Sequence, residues 1–446
     1  MASSRKSSCN LTERVVDALT RLIPPDRSIL LGLSGGLDSV VLLHLLVNLA
    51  PRQNWRISAL HIHHGISPNA SSWAEFCLQL CENLNVPCQV ERVELAPLRE
   101  LGIEAAARQL RHAALNRQAV DFIALAHHQN DQAETLLLQL LRGAGVRGAA
   151  AMPTLKLRAN LPCLIRPLLA ESRTEILLYA RENHLHWIED ESNADDNYPR
   201  NFLRHRVLPV LAERFPAYCH TLARSAQHFA EASALLDELA ADDVRRSIIA
   251  DRLQVSALRQ LTAARGKNLL RHYILSKGAP LPDSTRLQEI WEQLRLAKTD
   301  ANLSVTWQNW QVRCYRQAVY VLPIQPVQAD WQIEWHGESS LILPDGIGRI
   351  EVKQIVGQGI SLQKLQQGKV FVRNRRGGEA GILMAGGHHQ TLKKLFQAFA
   401  VPPWQRQFMP LVFCDSQLVA VADLIVATDF QVAATELGGV FLWQAA

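Results

Sequence analysis

The chain has no Cys-x-x-Cys pair, and its eight cysteines are scattered through 446 residues. That excludes the dense disulfide framework of a small secreted scaffold and suits a reducing compartment. Cys77 and Cys81 lie four apart on a predicted helix, with Cys88 after them and His61, His63 and His64 before them. A zinc site is conceivable from the spacing, but small thiols buried on one helical face are the expected reading. No run of about 20 uncharged apolar residues occurs, so a membrane-spanning helix is not expected. The polar opening Met1–Ser8 lacks the apolar segment of a leader peptide, which makes the cytoplasm the expected location. A Walker A motif ending in Gly-Lys-Ser/Thr is also missing, which argues against chemistry at the γ-phosphate of a nucleotide. Net charge is only +5, which neither demands nor excludes a nucleic acid.

Apolar material is ample at 48% of residues, and the length exceeds the roughly 250–300 residues at which a single core stops growing. From residue 28 to about 190, short apolar runs alternate with amphipathic segments. Ser28–Leu33, Arg56–Ile62, Cys88–Val93 and Asp121–Ala126 read as strands, with helices predicted at 39–49, 70–84, 104–119 and 131–142. This is the pattern of an α/β doubly wound parallel sheet, whose ligands sit at the carboxyl ends of the strands. The polar stretch Glu189–Asn197 is expected to form a loop over that edge. The expected domains are a catalytic unit at 25–215, a helical linker at 216–245, a smaller α+β unit at 246–328 and another at 345–446.

The segment Leu30–Leu46 carries the strongest chemical signal: an apolar strand runs straight into Ser34-Gly35-Gly36-Leu37-Asp38-Ser39 and then an apolar helix. Two glycines let the backbone approach a phosphate, and the unpaired N–H groups of a first helical turn point at the anion. Ser34 and Ser39 add hydroxyl donors. Asp38 would repel a phosphate unless a cation intervened, so it is expected to bear on Mg²⁺. The pattern resembles the loop of enzymes that cleave ATP between its α and β phosphates. A second constellation, His127-His128-Gln129-Asn130-Asp131-Gln132-Ala133-Glu134-Thr135, follows the fourth strand. Asp131 and Glu134 are three apart, which places both carboxylates on one helical face. An ordinary cap, with Asn130 at the N-cap and Glu134 in the first turn, would use the same residues.

These two stretches, with His61-Ile62-His63-His64-Gly65 between them, resemble the tRNA(Ile)-lysidine synthetase family of PP-loop ATP pyrophosphatases. The resemblance extends through Glu104-Ala105-Ala106-Ala107-Arg108, Leu141–Gly145, Arg166-Pro167-Leu168-Leu169, Asp190–Asn193 and Arg200–Arg206 to Thr391–Leu395 and Val401–Trp404. Asn130 departs from the aspartate that many members carry there.

The resemblance implies an adenine nucleotide α-hydrolase-like fold with two smaller C-terminal α+β domains. Its cofactors would be ATP and Mg²⁺, and its substrates free L-lysine and an isoleucine tRNA with a CAU anticodon. The reaction implied is adenylation of the wobble cytidine at C2 followed by attack of lysine; a homodimer is left open. Nucleotide contacts would fall to Ser34, Gly35, Gly36, Leu37, Asp38, Ser39, His63, Gly65, Arg108 and His127, with Mg²⁺ on Asp38 and Asp131.

Catalytic roles would fall to Asp38, Asp131, Glu134 and Arg204. Asp131 and Glu134 either hold the lysine ammonium group and take its proton or share Mg²⁺ with Asp38. Arg204, with Arg200 as its alternate, is a candidate for a phosphate or the lysine carboxylate, although a run of arginines also suits a solvated helix face. Lys369, Arg373, Arg375, Arg376, Lys393, Lys394 and Arg406 make the C-terminal part basic, and Trp404 offers a surface for base stacking. A tRNA thiolase on the same fold is the nearest rival, and it would need cysteines placed to carry sulfur.

Overall fold

Ile29, Leu30 and Leu31 of Ser28–Gly32 (β1) are all buried, as a strand covered on both faces by helices requires. β1 pairs in parallel with Arg56–His63 (β2) on one side and Phe122–Ala124 (β4) on the other. Cys88–Arg92 (β3) extends the sheet beyond β2, and Cys163–Ile165 (β6) extends it beyond β4, both in parallel. Leu155–Lys156 (β5) closes the β6 edge in antiparallel register, giving the order β3-β2-β1-β4-β6-β5. The computed structural model from which this follows describes residues 10–65, 67–94, 103–189, 191, 195–298, 303–325, 329–381 and 390–445.

Alternate residues of β1 feed separate cores. Ile29 and Leu31 pack with Leu11–Leu22 (α1), Leu37–Gln53 (α2), Ala70–Asn83 (α3) and Arg173–Glu182 (α7). Leu30 packs with Leu60, Ile123, Leu125 and Leu164 beneath Ala114 and Leu115 of Ile103–Asn116 (α4). Each such leucine or isoleucine contributes about 1.5–3 kcal/mol on burial, which fixes the register of the strand that carries it. The sheet is therefore doubly wound, and the chain reverses its direction of travel across it between β1 and β4. The loops after those two strands flank the switch point where such sheets bind ligands.

From β4 the chain enters Gln129–Leu141 (α5), Val146–Ala149 (α6), β5 and β6. After α7 come Pro199–Phe202 (α8), a π-helical turn at Leu203–Val207 and Leu208–Arg214 (α9). The long helix Tyr218–Ser247 (α10) covers most of the expected linker. The chain divides into two compact units, 1–241 and 242–446.

Among the described residues the second unit holds three core clusters, of which two are the larger. In the first, Arg252–Gln254, Ser304–Trp307, Trp310–Tyr315 and Ala318–Pro323 form most of an antiparallel sheet. The helices Ala263–Ser276 and Ser284–Leu296 share its core through Tyr273, Ile274, Ile290 and Trp291. In the second, antiparallel strands including Val370–Arg373, Leu411–Cys414, Gln417–Val421 and Leu437–Ala445 enclose Val372, Val412, Val419 and Phe441. Among the described residues no helix is long and apolar enough to cross a membrane.

Candidate active site

The turn after β1 is tight because Gly35 takes a φ of +84° and Gly36 caps α2 with no side chain across its amides. A Cβ on Gly35 would lie 2.8 Å from Ile188 Cδ1 and 3.1 Å from Cys77 Sγ. Ile188 N–H donates to the Gly35 carbonyl at 2.9 Å, so the segment after α7 is tied to the loop. Ser39 donates its hydroxyl to Gly36 O at 2.9 Å, and the Ser34 and Ser39 hydroxyls lie 3.1 Å apart. The loop thus presents open helix-terminal N–H groups and two hydroxyls, the donor set an inner phosphate needs.

Asp38 stands in the first turn of α2, with Oδ2 3.6 Å from His128 Nε2. Asp131 Oδ2 is 3.5 Å from the same nitrogen. His128 bridges the two loops as a buried imidazole. Burial lowers its basicity, but the hydrogen bond to Asp38 and the charges of Asp131, Asp38 and Glu134 outweigh that and raise it. His128 is the N-cap of α5, and its backbone N–H donates to Asp131 Oδ2 at 3.0 Å. The alternative cap at Asn130 does not form; the N-cap lies two residues earlier. Asn130 Oδ1 instead accepts from the N–H of Arg173 at 3.2 Å.

Asp131 and Glu134 do share a face, and both are buried. Their partners come from α8 and the π-helical turn. Arg200 donates from Nη2 to Asp131 Oδ1 and from Nε to Glu134 Oε2, each at 2.6 Å. Arg204 donates from Nε to Glu134 Oε1 at 2.7 Å and from Nη2 to Glu134 Oε2 at 3.0 Å. Burial pushes the Asp131 carboxyl up, yet His128, Arg200 and His127 prevail and hold it below the usual range. Arg200 is thus as central as Arg204, and neither lies on a merely solvated face.

The fit of a divalent cation can be judged from the acids. Among the described residues Asp38 Oδ1 is buried and has no hydrogen-bond partner. An oxygen left bare in that position suits a cation that also meets phosphate. Asp131 has both oxygens engaged, by Arg200 and the His128 N–H, so it fits a ligand role less well.

The other expected contacts are more dispersed. His127, at the carboxyl end of β4, accepts from Arg166 Nε at Nδ1 over 3.2 Å. Burial foremost pushes His127 down to about 3. His61 is buried, and its Nδ1 lies 3.0 Å from Leu33 O and 3.4 Å from Cys77 Sγ, so it braces the loop from behind. His63 is half-buried, with Nε2 3.3 Å from Ser71 Oγ. Gly65, with a φ of +66°, and Arg108 are exposed.

Among the described residues no group of three His, Cys, Asp or Glu side chains is placed to hold a metal. The zinc spacing noted in the sequence instead reflects buried thiols, and burial pushes Cys77 up to about 12. The expected loop at Glu189–Asn197 lies partly outside the described residues, which omit Asp190 and 192–194.

Arg166, which the sequence presents only within Arg166-Pro167-Leu168-Leu169, is a further contributor. It is 5% exposed and holds both His127 and, from Nη1 at 2.7 Å, the Pro153 carbonyl.

Comparison with known proteins follows this division of the chain. Residues 8–211 match the model of a PP-loop domain, 253–320 that of a TilS substrate binding domain and 370–443 that of a TilS substrate C-terminal domain. The U34-tRNA thiolase NcsA of Methanococcus maripaludis, solved with its [4Fe-4S] cluster, aligns over 49% of this chain and 78% of its own at 19% identity, with a TM-score of 0.44. A solved TILS C-terminal domain covers 26% of this chain and 98% of its own, at 19% identity and a TM-score of 0.22. The tRNA(Ile)-lysidine synthase of Coxiella burnetii is 39% identical over 91% of this chain and 90% of its own. That of Nitrosomonas europaea is 39% identical over 99% of this chain and 98% of its own, and the chain belongs to the tRNA(Ile)-lysidine synthase family.

Proposed function

We propose that this chain is a cytoplasmic ATP-dependent ligase that converts the wobble cytidine of a CAU-anticodon isoleucine tRNA to lysidine, releasing AMP and pyrophosphate. The observation that carries the reading is the bridge Asp38–His128–Asp131, which joins a phosphate-binding turn to a buried acidic pair at one sheet edge. A P-loop γ-phosphate enzyme would need a lysine in the turn, and a simple RNA-binding module would need neither acid.

In the first step the cytosine C2 oxygen attacks the α-phosphate and pyrophosphate leaves. Charge spreads over the phosphate oxygens, and the first-turn amides of α2 with Ser34 and Ser39 meet it without reorganising. Mg²⁺, held by Asp38 and by Asp131 once Arg200 yields it, would supply further neutralisation of the phosphates.

In the second step the lysine ε-amine attacks C2 and AMP departs. That amine is protonated in water, with a pKa near 10.4, so it must shed a proton on arrival. Asp131 and Glu134 are suited to hold the ammonium and take the proton. The cation would enter by substituting for part of the guanidinium charge that Arg200 and Arg204 supply. A released guanidinium then suits the lysine carboxylate. His63 and Gly65 at the end of β2, Arg108 on α4 and His127 after β4 would add contacts to the nucleotide.

Residues 25–215 would perform the chemistry, with 216–245 as linker. The units at 246–328 and 345–446 would grip the tRNA, a role that the exposed Lys369, Lys393 and Lys394 suit. A thiolase reading finds little support, because Cys77 and Cys81 are buried and burial raises the Cys77 thiol far above neutrality.

The test mixes the chain with Mg-ATP, labelled lysine and a CAU-anticodon transcript. Label should enter the RNA with one AMP released per lysine, and should fail to enter with Asp38→Asn. ADP release, or incorporation into a transcript whose wobble base is not cytidine, would sink the reading.

A further inference from the structure

His127 stands at the carboxyl end of β4, four residues before Asp131, and its ring has two chemically distinct nitrogens. Arg166 Nε donates to Nδ1 at 3.2 Å while Nη1 of the same guanidinium donates to Pro153 O at 2.7 Å. Arg166 is buried at 5% exposure and anchored at both ends of its fork, so its direction is fixed. An arginine has N–H donors and no acceptor, even here where burial and its neighbours Arg108 and Arg158 push it down to about 10. A hydrogen on His127 Nδ1 would face another hydrogen. Nδ1 must therefore offer its lone pair.

The charge state follows separately. Burial, with Arg166, Arg200 and Arg108 nearby and opposed only by Asp131, keeps the His127 ring neutral near pH 7. A neutral ring whose Nδ1 accepts must carry its proton on Nε2. No partner for Nε2 occurs among the described residues. The ring follows β4, the strand paired in parallel with the β1 that leads into the phosphate turn, yet it brings no charge of its own.

We propose that Arg166 is a positioning residue that locks His127 in the Nε2–H form, so that the ring donates one neutral hydrogen bond to a phosphate oxygen of bound ATP. The inference rests on the ATP-dependent reading above and adds to it the tautomer and the residue that sets it. A neutral donor aids the step without placing another full positive charge beside Arg200 and Arg204. It also keeps the ring from taking the proton that the lysine amine must give to Asp131 or Glu134.

The test uses the full chain with ¹⁵N-labelled histidine, the His127 signals being assigned by their loss in His127→Gln. In the wild type at pH 7.5, long-range ¹H–¹⁵N correlations should show Nδ1 bare and Nε2 protonated, and Mg-ATP should shift the Nε2 signal. In Arg166→Met the two forms should mix, and kcat for tRNA-dependent AMP release should fall at least tenfold while KM for ATP moves less than threefold. Glutamine can place an amide N–H where Nε2–H stands, so His127→Gln should lose less activity than His127→Asn. In the His127→Gln background, Arg166→Met should cost little more, which a purely structural role for Arg166 would not allow.

A wild-type spectrum with hydrogen on Nδ1, or on both nitrogens, overturns the proposal. So does an Nε2 signal indifferent to ATP, or an equal penalty for Arg166→Met in both backgrounds. The spectrum and the ATP shift need no turnover, so a wild type that fails to modify tRNA would count against the ligase reading alone.

Discussion

Glu134, whose side chain is 1% exposed, takes Arg200 Nε at 2.6 Å on one oxygen and Arg204 Nε at 2.7 Å on the other. A buried carboxylate set between two guanidiniums is costly to disturb from one side only. Removing one partner of such a group leaves charge uncompensated and typically costs about 3–5 kcal/mol. Glu134→Ala should therefore lower the unfolding free energy by about 3 kcal/mol, read from urea denaturation, and abolish lysine transfer. Arg204→Ala should cost less, because Arg200 still holds the carboxylate. Equal stability losses for the two variants would contradict this division.

Gly35 and Gly65 both have positive φ, at +84° and +66°, but their surroundings differ. Among the described residues a Cβ at Gly65 meets nothing within 4 Å, whereas at Gly35 it meets Ile188 Cδ1 at 2.8 Å and Cys77 Sγ at 3.1 Å. Backbone strain of about 1–2 kcal/mol applies to both. Only Gly35→Ala must also move the wall of the turn. ATP affinity, measured by calorimetry, should fall at least tenfold in Gly35→Ala and less than threefold in Gly65→Ala.

Much of this geometry is readable from the chain itself. The apolar runs around Ile29, Ala59 and Ile123 have strand length and lead into glycine or polar turns, so the sheet and the loops at its carboxyl edge can be placed. Asp131 and Glu134 are predictable as a pair because helical spacing alone puts them together. What cannot be read is what meets them. Arg200 and Arg204 come from 66 to 70 residues away in sequence, through a π-helical turn that no periodicity signals. β5 and β6 run two and three residues, too short for an alternating pattern to show. Arg166 carries no local signature beyond its place before a proline, and only its burial against His127 reveals a task.

Two histidines of the catalytic unit give the stability an acid edge. Burial foremost pushes His127 down to about 3 and His112 to about 4, with nearby arginines adding to both. The unfolded chain binds protons on both near pH 6.5, so between that pH and about 4 the unfolded state holds more of them. Stability must then rise with pH through this window and fall as pH drops through it, by up to about 1.4 kcal/mol per pH unit for His127. The urea midpoint should decline from pH 6.5 to pH 4.5, and His112→Asn should flatten that decline. His128, whose basicity is raised, works in the opposite sense, so the variant decides: a decline as steep in His112→Asn as in the wild type would show that the His112 ring is charged in the folded chain.

The C-terminal basic residues are not equivalent. Arg373 pairs with Glu379 at 3.1 Å and lies 4.1 Å from the Phe413 ring, and Arg375 Nε is 3.6 Å from Glu379. Arg376 Nε is 3.7 Å from Asp330, and Arg406 donates to the Val401 carbonyl at 2.9 Å. Trp404 meets Tyr320 edge-on at 5.0 Å and Tyr315 at 6.1 Å, so its ring is largely spoken for within this unit. Lys393 and Lys394 are exposed at the start of the helix Leu392–Ala398 and are the better candidates for phosphate contact. Lys393→Gln with Lys394→Gln should weaken tRNA binding while leaving ATP binding unchanged. Each lost phosphate contact takes about 0.7–0.9 from the slope of log affinity against log salt, so the pair should reduce that slope by about 1.5. Trp404→Phe should leave the slope where it is. If the tryptophan variant lost affinity and the lysine pair kept it, the grip on RNA would lie in stacking instead of charge.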